Sequence, residues 1–122
     1  MRVGGNQVPR WGALQIPIRK GVIAEMPMYI VLGSFTQEGI QKIKDSPKRL
    51  ADAQKVAKSL GGEIKDFYYT MGRYDFVAVC EQPNNEAMTK ALLIIAGAGA
   101  IRTETLIAIP AARAAELFKE LP

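Results

Sequence analysis

Between Met28 and Ile109 the chain switches between strand-like and helix-like hydrophobic spacing in a fixed order, and that order constrains the fold more than any other feature. Met28-Tyr29-Ile30-Val31-Leu32 is a continuous β-branched and aromatic run, as in strands covered on both faces. Thr36 is placed to cap a short helical stretch through Ile40 and Ile43. Ser46-Pro47 then restarts the helix, with Ser as cap and Pro in its first position. Leu50, Ala53, Ala57 and Leu60 share one helical face, Arg49, Asp52 and Lys58 point away, and Gly61-Gly62 supplies a left-handed stop. Ile64 to Thr70 alternates, with Ile64, Tyr68 and Thr70 expected on one face and Lys65, Phe67 and Tyr69 on the other. Met71-Gly72-Arg73 reads as a turn into an apolar strand from Phe76 to Cys80. Asn84-Asn85 caps a second helix with the stripe Met88, Ala91, Leu92 and Ile95, ending at Gly97 to Gly99. Ile101 to Ile109 is the fourth strand, and after Pro110 a last helix carries Ala114, Leu117, Phe118 and Leu121 on one stripe.

The order β-α-β-β-α-β is the ferredoxin-like unit, an α+β fold with a four-stranded antiparallel sheet and two helices on one face. Apolar side chains fall on both faces of every strand. Helices on one side alone would leave an apolar patch of several hundred Å² in water, by order of magnitude. A second sheet from another copy is therefore expected, giving a dimeric α/β barrel in which the extra C-terminal helix covers an edge or clasps the partner.

Composition bounds the chemistry. The 122 residues make one domain, with 27–122 as its body and 1–26 as a basic extension. Arg2, Arg10, Arg19 and Lys20 against Glu25 give the extension +3 and leave only +1 for the body, so neither a nucleic acid nor a membrane is expected as partner. Leu14-Gln15-Ile16-Pro17-Ile18 is too broken for a signal peptide, and the apolar run from Ala91 to Ile101 falls short of the roughly 20 residues that span a bilayer. Histidine is absent, which removes imidazole-based nucleophile systems, proximal-His haem and His-rich zinc sites. The lone Cys80 allows no intrachain disulfide or cysteine metal site and agrees with a reducing cytoplasm. No metal and no cofactor is expected.

Several motifs stand in sequence: Pro27-Met28-Tyr29-Ile30-Val31-Leu32 with Phe35-Thr36, Ser46-Pro47-Lys48-Arg49, Asp66-Phe67-Tyr68, Gly72-Arg73-Tyr74-Asp75-Phe76-Val77-Ala78, and Arg102-Thr103-Glu104-Thr105. Together they resemble the GYD domain family, named for its Gly-x-Tyr-Asp motif. The resemblance covers residues 27–122 and implies the ferredoxin-like dimeric barrel. It implies no activity, because the wider structural relatives range from small monooxygenases and isomerases to haem-dependent enzymes and ligand-sensing domains, and a fold does not carry a function with it.

The candidate site residues follow from chemistry. Arg73, Tyr74 and Asp75 are expected at the mouth of a cavity between sheet and helices, Tyr74 as hydrogen-bond donor, Asp75 as base or ligand anchor, and Arg73 on an anion. The plainer account has Asp75 accept backbone N–H groups of its turn. Lys48 and Arg49 at a helix start offer cations beside free N–H groups, fit for a phosphate or carboxylate. Arg102 and Glu104 share one face of the fourth strand, where they either bridge subunits or make Glu104 a second carboxylate beside Asp75. Tyr69 joins the ligand set if its face lines the pocket, whereas Cys80 reads as a small buried hydrophobe. The stretch from Gly72 to Val79 partly mimics an RNA-recognition motif, but Asp75 would repel phosphate and Val79 stands where a stacking aromatic belongs. The leading expectation is a homo-oligomeric binder of a small anionic molecule. The alternatives are a cofactor-independent isomerase- or monooxygenase-like enzyme in the same pocket, with Asp75 or Glu104 as base, and a structural assembly module without ligand.

Overall fold

The computed structural model describes residues 26–122. Strands β1 (Met28–Phe35), β2 (Glu63–Tyr69), β3 (Phe76–Glu81) and β4 (Ile101–Ala108) form one sheet in the order β2-β3-β1-β4. Every pairing is antiparallel. Helix α1 (Gln37–Gln41), a 3-10 turn (Ile43–Asp45) and helix α2 (Ser46–Ser59) connect β1 to β2, and α3 (Asn85–Ala96) connects β3 to β4. Helix α4 (Ala111–Phe118) follows the sheet. This is the expected ferredoxin-like α+β architecture.

One face of the sheet supplies the core. Tyr29, Val31, Phe76, Ala78 and Cys80 are buried against Met88 of α3, with Ile64, Phe67, Leu92 and Ile101 packed around them. The small buried side chains of Ala53 and Ala57 let α2 lie close beside α3 and the sheet. At Gly33 the constraint is severe, because a Cβ there would stand 2.0 Å from Cζ of Phe76. A side chain would displace the ring from the core, so glycine is required by close approach.

The caps are partly as expected. The Thr36 side chain accepts from Gly39 N–H at 3.1 Å, and its hydroxyl donates to the Gly99 carbonyl at 2.7 Å. Asn84 accepts from Ala87 N–H at 2.8 Å, and the Tyr29 hydroxyl donates to Asn85 at 2.5 Å, fastening β1 to the start of α3. Gly61 and Gly72 take the positive φ their turns need. Ser46, however, is not a cap. It is the first residue of α2, is buried, and shares a 2.8 Å hydrogen bond with the Tyr69 hydroxyl.

The face assignment of β2 also needs correction. The register jumps between Ile64 and Asp66, so Ile64 pairs with Cys80, Phe67 with Ala78 and Tyr69 with Phe76. One extra residue at Lys65 puts Ile64 on the same face as Phe67 and Tyr69, against strict alternation. The Gln54 side chain of α2 matches the bulge, donating to the Ile64 carbonyl at 2.9 Å and accepting its N–H at 2.8 Å. Both polar backbone groups of Ile64, on an edge strand of the sheet, are thereby closed off.

On the other face of the sheet Ile30, Leu32, Val77 and Val79 are partly buried, and Tyr68 and Leu106 are exposed. Two compact units divide the chain, Met26–Ala108 and one to which Ile109–Pro122 belongs. In the latter, Ala114, Leu117 and Phe118 lie within α4, Leu121 falls beyond its end, and Phe118 and Leu121 are exposed. Among the described residues no helix is long and apolar enough to cross a membrane. The basic extension lies outside them, apart from Met26.

Candidate functional site

Between the core face of the sheet and helices α2 and α3 lies a cavity of about 270 Å³. Its walls are apolar, with Val31, Phe67, Phe76 and Ala78 from the sheet, Ala53 from α2 and Leu92 from α3. Few polar side chains reach it, and two of those are incompletely satisfied. Arg49 donates through Nη2 to the Lys42 carbonyl at 3.0 Å, while Nη1 is buried without a partner. Gln82, 1% exposed, donates through Nε2 to the Ala57 carbonyl at 3.1 Å, while Oε1 is buried without a partner. A Cβ on Gly62 would come within 2.5 Å of the Gln82 amide carbon, so the bare glycine backbone makes room for that amide.

Local sequence explains both placements. The 3-10 turn carries the Lys42 carbonyl back towards Arg49 in the first turn of α2, so one guanidinium edge ties the turn and the other is left over. Gln82 continues the alternation of Phe76, Ala78 and Cys80 one step beyond the apolar run, which aims it at the core face. An unpaired buried donor or acceptor costs about 1–3 kcal/mol, so each of the two atoms is a cost that the fold carries beside the cavity. Asp52 also lines the cavity, but its side chain is 59% exposed and stands 3.8 Å from Lys48.

The structure divides the sequence-derived candidates into three groups. Arg49 alone lines the cavity. Tyr69 stands beside it, its hydroxyl held by Ser46 and its ring edge-on to Phe67 at 5.1 Å, and Lys48 is exposed in its i,i+4 pair with Asp52. The second group lies on the sheet face opposite the helices, where the Tyr74 hydroxyl donates to Glu104 at 2.6 Å and the Arg73 guanidinium lies 5.7 Å from the Tyr74 ring. The hydrogen bond to Glu104, with lesser contributions from desolvation and the Glu104 charge, holds the Tyr74 phenol above its ordinary pKa; Arg73 opposes this. Asp75 forms the third group. Its carboxylate accepts Phe35 N–H at 2.8 Å, on the neighbouring strand rather than in its own turn. Arg73, Tyr74 and Asp75 are not among the residues that line this cavity, and Asp75 and Glu104 serve different contacts.

Arg102 and Glu104 share the outward face of β4 and are exposed, with Thr103 and Thr105 turned inward. Cys80 is buried, and burial pushes its thiol up to about 11. Gln82 was missed by a reading that ended the strand at Cys80, although carrying the period of two across Glu81 would have found it.

Sheet order, paired helices and the interlayer cavity define a ferredoxin-like α+β domain. The chain belongs to the GYD domain family, which matches residues 29–118. The glutamine synthetase and cystathionine β-lyase binding protein of Thermus thermophilus is 34% identical to it over 88 residues, 71% of this chain and 93% of that one. Among solved structures, that of MtbAldR is similar with TM-score 0.56 and 13% identity, covering 77% of this chain and 62% of its own. The feast or famine regulatory protein from M. tuberculosis, complexed with L-methionine, is similar with TM-score 0.54 and 15% identity, covering 77% and 60%. The present chain spans about six-tenths of those two structures, and at such identities the likeness is one of fold.

Proposed function

We propose that this GYD domain protein is a homo-oligomeric cytoplasmic binding protein that holds a small anionic molecule in the cavity between its sheet and helices. The observation that carries the reading is Arg49, a cation among the residues that line a largely apolar cavity, whose Nη1 has no hydrogen-bond partner in the chain. A carboxylate or phosphate there would satisfy the donor in a low-dielectric setting, where charge-assisted hydrogen bonds are strongest. The name of the Thermus relative, a binding protein for two enzymes, supports binding over catalysis. So does the commitment of Asp75 to the Phe35 amide, since a base needs a free carboxylate within reach of substrate. Association is supported by the apolar sheet face bearing Leu106 and Tyr68, which a second copy would cover. The cytoplasmic assignment rests on the single buried Cys80.

The test is a thermal-shift and calorimetric panel of small carboxylates and phosphate monoesters against the wild type and Arg49→Gln. Stabilisation of the wild type by mass action, abolished in Arg49→Gln, is the expected result. No binding by any anion, or equal binding by both proteins, overturns it. Enzymatic turnover of a bound carbonyl or phenolic compound, lost in Asp75→Asn, would instead favour the enzyme reading.

A further inference from the structure

The two edges of the sheet differ. On β2 the register jumps at Lys65, and the Gln54 side chain closes both backbone groups of Ile64. The other edge is β4, which pairs with β1 along its whole length without a bulge or a proline. No strand among the described residues lies against its outer side. A long, regular edge of this kind is a template for another strand.

The register shows which groups that edge offers. Asp75 N–H donates to the Gly33 carbonyl and Phe35 N–H donates to the Asp75 carboxylate, so Gly33 and Phe35 turn their backbone groups towards β3. Leu32 and Ser34 then turn theirs towards β4, where they face Glu104 and Arg102. Thr103 and Thr105 alternate with these and present N–H and C=O to the open edge. Arg102 and Glu104 are exposed on one face of the same strand. One Glu104 oxygen accepts the Tyr74 hydroxyl, which leaves the other, and no acid among the described residues pairs with Arg102.

Resting on the homo-oligomeric reading above, we propose that β4 pairs antiparallel with β4 of a second copy, about a two-fold axis at Thr103. The two Thr103 residues then exchange backbone hydrogen bonds, Ile101 pairs with Thr105 of the second copy, and Arg102 stands opposite Glu104 of the second copy on each side of the axis. Those charged pairs fall at non-hydrogen-bonded positions, where facing side chains come closest. An axis at Glu104 sets two carboxylates against each other, and one at Thr105 sets Glu104 against Leu106, so the charge pattern selects the register. The contact joins two sheets edge to edge and is separate from the apolar sheet face.

Amide hydrogen exchange of the full chain, read residue by residue by NMR, tests the pairing. The Arg102 and Glu104 amides bond to β1 in every state, whereas those of Thr103 and Thr105 are held only by a second β4. In the wild type, Thr103 and Thr105 are expected to exchange at least about tenfold more slowly than in Arg102→Glu or Glu104→Arg, each of which sets like charges across the axis. Combining the two substitutions restores the pairs and the protection. Should a reversal not fold, Arg102→Gln and Glu104→Gln take its place and are expected to speed the same two amides. Fast exchange at Thr103 and Thr105 in a particle that is still oligomeric overturns this inference and leaves the homo-oligomeric reading standing. Protection that survives the substitutions does the same. A wild type that is monomeric at the concentration of the measurement overturns both.

Discussion

Asp75 holds two strands in register at once: its N–H donates to the Gly33 carbonyl at 2.7 Å and its carboxylate accepts Phe35 N–H at 2.8 Å. Asp75→Ala strands that backbone donor and is expected to cost about 2 kcal/mol in urea unfolding, within the usual range for hydrogen bonds to charged groups. Asp75→Asn keeps an accepting oxygen and should cost clearly less. Equal losses for the two variants would remove the hydrogen bond as the reason the residue matters. At Cys80 the effect runs through pH. Burial raises the folded thiol from 9.0 to about 11, so the native state holds its proton where the unfolded chain has released it. The stabilisation is complete below 9.0 and is lost as pH climbs towards 11. Cys80→Ala should therefore flatten the decline in stability across that alkaline window, measured by denaturant midpoints against pH; an unchanged slope would contradict the assignment. The GYD motif was legible as a motif, but its division of labour was not. Sequence places Tyr74 and Asp75 side by side, whereas only the strand pairing sends one to Glu104 and the other to the Phe35 amide.

At the scale of elements, Gln54 and the bulge in β2 form one device. The side-chain amide takes both hydrogen bonds of Ile64 at the sheet edge, so Gln54→Ala leaves two backbone groups to water or to nothing. The expected consequence is a loss of about 1–2 kcal/mol and faster hydrogen exchange of the Ile64 amide. Unaltered exchange there would show that the bulge holds without Gln54. Helix boundaries were readable because Thr36, Asn84 and Gly61 each meet a backbone requirement stated within a few residues of chain. The bulge was not readable. Nothing in Glu63-Ile64-Lys65-Asp66 announces an extra residue, and the signal that fixes it is the Gln54 amide, ten positions away on another element. Ser46 was misread for the same reason, since the partner that removes it from capping is Tyr69 on β2.

For the whole molecule, the ferredoxin-like arrangement followed from hydrophobic period alone, because β-α-β-β-α-β leaves few ways to cover the sheet. The cavity did not follow. Its volume arises where the small residues Ala53, Ala57, Ala78 and Ala91 face one another across two layers, a coincidence that no local window contains. Of its polar pair, Arg49 was visible as a cation at a helix start, and Gln82 became visible only once β3 was followed to Glu81. This cavity and the apolar face on the far side of the sheet belong to one domain, so assembly and ligand retention are read on one particle. Native mass spectrometry of the gently purified full chain reads both at once. The predicted spectrum is an even-numbered homo-oligomer carrying one small, reproducible added mass per chain, which Arg49→Gln loses without loss of assembly. A monomer that carries no added mass under the same conditions would contradict the account.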